Sequence, residues 1–128
     1  MIEPVPLTIL IHEHVTGGGM IGEALPESWA AEGSAMRRAL AAEVAAARPG
    51  HRVIVTRDPR VPADDGPWES VPLNSMDDLF PLARQADYTL PIAPETGGVL
   101  EALIRRLESS GCSHLGSDAR AVALAADK

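Results

Sequence analysis

Apolar and polar positions along the chain alternate between two rhythms. Leu7-Thr8-Ile9-Leu10-Ile11 and Arg52-Val53-Ile54-Val55-Thr56 are short, apolar and partly β-branched, the pattern of strands buried on both faces. Asp87 to Ala93 reads as another strand and Cys112 to Leu115 as the last. Val71-Pro72-Leu73 reads as a short edge strand, because proline cannot serve an inner ladder position. Between these runs the period turns helical. From Pro26 to about Ala47, Met36, Leu40, Val44 and Ala47 recur at helical spacing, with Ser28 in the N-cap region and Pro49-Gly50 as the stop. Asn74-Ser75 cap a second helix that runs to about Ala86, with Asp77-Asp78 in its first turn. Val99 to Ser110 carries Val99, Leu100, Leu103, Ile104 and Leu107 on one stripe, with Gly111 at the C-cap. Ser117 or Asp118 opens a short alanine-rich helix, and residues 57–70, with three prolines and four carboxylates, form a loop.

Strands alternating with helices imply βαβ units and a parallel sheet covered on both faces. The expected architecture is α/β, a three-layer Rossmann-like sandwich with a mostly parallel sheet. In such sheets ligands bind beyond the carboxyl ends of the strands, near the topological switch point. Both glycine loops, at 17–22 and 97–98, fall at carboxyl ends.

Composition narrows the function classes. A chain of 128 residues fits one domain and buries roughly two thirds of its unfolded surface. The net charge of −7, with basic residues unclustered beyond the isolated pairs Arg37-Arg38 and Arg105-Arg106, disfavours a nucleic-acid partner. Cys112 is the only cysteine, so no intrachain disulfide forms. No apolar run approaches the ~18 residues that span a bilayer and the N-terminus has no signal-peptide pattern, so the expected location is cytoplasmic and no membrane partner is expected.

Three stretches carry candidate chemistry. Gly17-Gly18-Gly19 offers backbone N–H groups ahead of a helix, an arrangement that binds anions, but it has neither the dinucleotide spacing nor a Gly-Lys-Ser/Thr. A sharply bent βα loop explains the same glycines. His12 and His14, two apart at a strand end, point to one face; no third metal ligand is evident from spacing, and a hydrogen-bonded pair at a cleft edge is the preferred reading. "APETGG" places Glu95 and Thr96 at a strand-to-helix turn, where they cap the helix or face a ligand in the same cleft. Serines lack a nucleophile elbow, Cys112 lies at the wrong end of the sheet for a nucleophile, and Asp58 precedes proline, a poor setting for a receiver-type phosphoacceptor.

Taken together, "HEHVTGGG", "AEGSAMRRAL" at 31–40, "APETGG" and "LGSDARAVALAADK" resemble the N-terminal segment of ATP-grasp ligases, of the tyramine–L-glutamate ligase type associated with methanofuran synthesis. The resemblance implies that residues 1–128 form a single pre-ATP-grasp domain. It implies a substrate-side domain of an ATP-dependent carboxylate–amine ligase that works through an acyl phosphate and is inactive alone. The C-terminal ATP-grasp domains, with the groups that hold Mg-ATP, would be its partners. The domain itself would bind no cofactor and no metal and would contain no catalytic residue. Glu13, His14, Thr16, Gly17, Gly18, Gly19, Glu95, Thr96, Gly97 and Gly98 would face a small amino acid or amine substrate, or the neighbouring domain. A face left uncovered there would be apolar or self-associating, giving a homodimer. The alternative is a stand-alone Rossmann-like domain that binds a small molecule or nucleotide, or regulates.

Overall fold

A computed structural model describes residues 6–47, 50–94 and 96–115. Four strands, β1 (Thr8–Glu13), β2 (Arg52–Arg57), β3 (Glu69–Pro72) and β4 (Tyr88–Ile92), form one sheet in the order β3-β2-β1-β4. Every pairing is parallel, with Ile9 opposite Val53 and Ile11 opposite Leu90. Helix α1 (Glu27–Ala47) connects β1 to β2 and α2 (Leu79–Gln85) lies between β3 and β4; a loop joins β2 to β3, and α3 (Val99–Ser109) follows β4.

Side chains alternate across a strand, and β1 shows why it reads as uniformly apolar. Ile9 and Ile11 pack with Leu40, Ala41 and Val44 of α1 on one face of the sheet. Leu10 and Ile54 pack on the other, against Leu79, Phe80 and Ala83 of α2 and Leu103 and Leu107 of α3. The result is the expected three-layer, Rossmann-like sandwich.

Local expectations shift in four places. The inward stripe of α1 is Gly33, Ser34, Arg37, Leu40, Ala41 and Val44, so Met36 points outward and is 50% exposed. Its phase misled because Gly33 and Arg37 carry no apolar signal although they face the sheet. Ser28 lies inside the helix, which starts at Glu27; the Pro26 carbonyl accepts the Ala30 N–H at 3.0 Å. The second helix is preceded by a 3-10 turn, Met76–Asp78, and the Asp78 carboxylate accepts the N–H groups of Asn74 (3.0 Å) and Ser75 (3.3 Å).

The fourth difference is the strand expected at Cys112–Leu115, which contracts to one parallel bridge between Thr89 and His114. Thr89 donates to Ser113 and accepts from Leu115, at 2.9 and 2.8 Å. Two residues on, the same edge of β4 presents Pro91, which has no N–H, and the ladder stops. Pro72 likewise ends β3 at the opposite edge. Cys112 is buried beside Leu107, as a small apolar residue. The stop at Pro49, and the helix expected from Ser117 or Asp118, fall outside the described residues. Among the described residues no helix is long and apolar enough to cross a membrane.

Candidate functional site

Strand order sets where a ligand can enter. From β1 the chain moves outward to β2 and β3, then crosses back to place β4 on the other side of β1. The switch point lies between β1 and β4, and the loops leaving these two strands must diverge there. Those loops hold residues 14–26 and 93–98, the two glycine segments. At the base of the opening the His14 N–H donates to the Ile92 carbonyl at 2.7 Å.

Within the first loop, Glu13 organises the chain. Its side chain is 1% exposed; Oε1 accepts the Thr16 N–H at 2.8 Å and the Thr16 hydroxyl at 2.7 Å, while Oε2 accepts the Val15 N–H at 3.0 Å. The loop therefore folds back over its own strand end. Gly17 then lies where any Cβ would stand 2.4 Å from the Glu13 carbonyl and 2.7 Å from Thr56 Oγ1. A Cβ at Gly19 would meet the His14 ring at 2.1 Å, and Gly18 takes φ 115° against Leu73. At Gly17 and Gly19 the close approach is made by groups of this chain.

Glu13, Thr16, Gly17 and Gly18 are thus buried, and His14 and Gly19 half-buried. On the facing loop Thr96 opens a 3-10 turn, Thr96–Gly98; Gly97 (φ 74°) and Gly98 (φ 70°) are exposed in the left-handed region, and Glu95 lies outside the described residues. The opening is flanked by His14 and Gly19 on one side and Gly97 and Gly98 on the other. The described residues have no exposed large apolar side chain in either loop; Trp29 and Met36, on α1, are the exposed ones.

The two histidines part company. His12 is fully buried, with Nδ1 2.8 Å from Thr56 Oγ1 and no hydrogen-bond partner for Nε2. Burial, reinforced by His14 nearby, pushes its pKa down to about 3, so the ring is neutral at physiological pH. His14 is also lowered, by burial, against the opposing pull of Glu13 and Glu23. Its ring is neutral at physiological pH and stands beside the opening. Among the described residues no group of three or more His, Cys, Asp or Glu could hold a metal ion.

Sequence reading missed the arginines that fix this geometry. Arg60 donates through Nε and Nη2 to the carboxylate of Asp58, and also to the carbonyls of Met20 (2.8 Å) and Glu23 (2.7 Å) in the first loop. Asp58 is fully buried, its N–H donates to the Thr16 carbonyl at 2.7 Å, and Arg60 holds its pKa below the usual carboxylate value. Residues 57–61 are therefore bolted to the first loop. Arg37, in the inward stripe of α1, grips Asp64 through Nε (2.9 Å) and Nη2 (2.6 Å), with both side chains nearly buried. No periodic signal pointed to it, because Gly33 and Arg37 read as outward positions until the helix is seen against the sheet.

Comparison with known proteins bears on the whole chain. No curated protein sequence matches it significantly. A crystal structure of a protein from Archaeoglobus fulgidus assigned to the ATP-grasp superfamily superposes with a TM-score of 0.58 at 26% identity, over 91% of this chain. This chain spans 35% of the length of that one. The pre ATP-grasp 3 domain family model matches residues 51–122, more than half of the sequence. With the parallel sheet and the switch-point opening in place, the chain belongs to the pre-ATP-grasp domain family.

Proposed function

We propose that this chain is the substrate-side N-terminal domain of an ATP-dependent carboxylate–amine ligase, of the tyramine–L-glutamate ligase type, and that the opening between β1 and β4 meets substrate and the ATP-binding domains. The observation that carries the reading is the family match over residues 51–122, which takes in the 93–98 loop, together with the switch point from which that loop and the 14–26 loop diverge.

The residues at hand do not suit Mg-ATP itself. Residues 14–26 and 93–98 contain no lysine or arginine to neutralise a triphosphate, and Arg60 is spent on Asp58 and loop carbonyls. The nucleotide then belongs to other domains, and this domain is inert by itself. Its own part is to shape one wall of the substrate cleft. The Glu13 turn and the Arg60 bolt make that wall rigid, and the neutral His14 ring offers a hydrogen-bond donor and an acceptor.

The test is ADP release from Mg-ATP by the polypeptide in which this chain is joined to ATP-grasp domains. Turnover should require an amino acid and an amine together, with L-glutamate and tyramine the first pair to try, and the isolated chain should show none. If the joined protein releases no ADP with any such pair while the isolated chain binds an amino acid or nucleotide in calorimetry, the stand-alone binding domain is the correct reading.

A further inference from the structure

We propose that His12 holds a carboxylate oxygen of the substrate through its Nε2–H, at the floor of the opening between β1 and β4. The inference rests on the ligase reading above and names the side chain that recognises the acid. His12 is fully buried at the end of β1, and its Nε2 has no hydrogen-bond partner among the described residues. Buried polar atoms are nearly always paired, and one left unpaired is a standing cost that a ligand or a water removes.

The ring's neighbours set where Nε2 points. The register that pairs Ile11 with Val55 brings Thr56 of β2 beside His12, and Nδ1 lies 2.8 Å from Thr56 Oγ1. Gly17 of the first loop closes over that edge, where a Cβ would stand 3.1 Å from Nδ1. With Nδ1 turned to β2, the diverging Nε2–H bond points out of the sheet and over the β4 side. The residue opposite His12 there is Pro91, whose ring offers neither donor nor acceptor, and β4 ends one residue later. The 93–98 loop leaves at that point for α3, which packs on this same face of the sheet. Nε2 itself is buried, so an acceptor reaches it by parting the loops that leave β1 and β4.

Thr56 also decides which nitrogen carries the proton. It is fully buried, and its hydroxyl has no other partner among the described residues. Were Nδ1 to donate, the hydroxyl hydrogen would be orphaned along with Nε2. With the hydroxyl donating to Nδ1, the Nε2–H is the one group left over. Burial keeps the ring uncharged. The site therefore presents a neutral donor, which suits an acceptor and turns away an ammonium. A phosphoryl group is poorly served, because residues 14–26 and 93–98 contain no lysine or arginine. A small, singly charged carboxylate fits both conditions. The rival occupant is a water shared with Thr89 Oγ1, which is also unpartnered and lies one diagonal away on the same face.

Ring-nitrogen NMR of the 128-residue chain should find His12 neutral with its proton on Nε2. Acetate or L-glutamate at tens of millimolar should move that resonance, tyramine should not, and Thr89→Val should change neither result. In the chain joined to ATP-grasp domains, His12→Leu with Thr56→Val removes both partners and leaves no orphan. That pair should raise KM for the carboxylate substrate about ten- to a hundredfold, with KM for the amine and for ATP unchanged. If circular dichroism shows the pair unfolded, Thr56→Val alone, which frees Nδ1 to take the proton, should raise the same KM by less. A proton on Nδ1, an Nε2–H that answers to Thr89→Val or tyramine and not to carboxylates, or an unchanged carboxylate KM would each overturn the proposal. If carboxylates leave Nε2–H untouched while the joined protein turns over, the ligase reading stands without His12. A carboxylate-responsive Nε2–H in a joined protein that releases no ADP would keep the site and sink the ligase reading.

Discussion

Gly33 of α1 rests against the carboxylate of Glu13, so closely that a Cβ there would stand 2.4 Å from Oε1 and 3.1 Å from Thr16 Cγ2. Through this contact the first helix, the end of β1 and the glycine loop are built as one piece. Glu13 cannot retreat, because three hydrogen bonds hold it and it is buried.

Gly→Ala within a helix ordinarily stabilises by up to about 1 kcal/mol. Here the sign should reverse. Gly33→Ala is expected to cost about 1–3 kcal/mol by overpacking, read as a lower urea midpoint at unchanged slope.

The loop glycines should sort by what surrounds them. Gly17→Ala places a Cβ on the Glu13 carbonyl, a backbone atom, and should prevent native folding of the loop. Gly98→Ala meets nothing within 4 Å and is opposed only by its left-handed φ, so about 1–2 kcal/mol is expected. Thermal denaturation of the two variants separates these cases.

Asp64→Ala leaves the buried Arg37 guanidinium without its partner, and about 3–5 kcal/mol should be lost. Replacing both, as Arg37→Met with Asp64→Leu, should recover most of that. Denaturant titration of the single and double variants checks it.

Acid should destabilise the protein well before its carboxylates titrate. The unfolded chain takes up a proton at His12 near pH 6.5, but the folded chain does so only at about pH 3. The contribution is complete above pH 6.5 and shrinks as pH falls toward 3, at up to about 1.4 kcal/mol per pH unit. His14, also lowered, adds in the same direction. His12→Asn should therefore flatten much of the stability loss between pH 6.5 and 4.5. Asp58 acts lower, where protonation dissolves its pairing with Arg60.

What the sequence disclosed follows from how periodic each signal is. β1, β2 and α3 announce themselves through the buried runs Ile9-Leu10-Ile11 and Val53-Ile54-Val55 and the helical spacing of Leu103 and Leu107. α1 was found with Leu40 and Val44 correctly inward, but Met36 was placed with them, since Gly33 and Arg37 occupy inward positions that read as outward ones. Arg37 finds its partner 27 residues away, in a proline-rich segment with no period at all. The location of both glycine loops at carboxyl ends was legible. That Gly17 and Gly19 accommodate Thr56 and His14 was not, because such contacts exist only once the loop has folded.

The most direct test of the proposed switch-point cleft is steady-state kinetics of the chain joined to ATP-grasp domains, comparing His14→Ala and Gly98→Ala with Glu43→Gln on the outer face of α1. The expected result is a raised KM for the amino acid or the amine in the two cleft variants, an unchanged KM for ATP, and normal kinetics for Glu43→Gln. Cleft variants with wild-type KM values for both substrates would contradict the assignment.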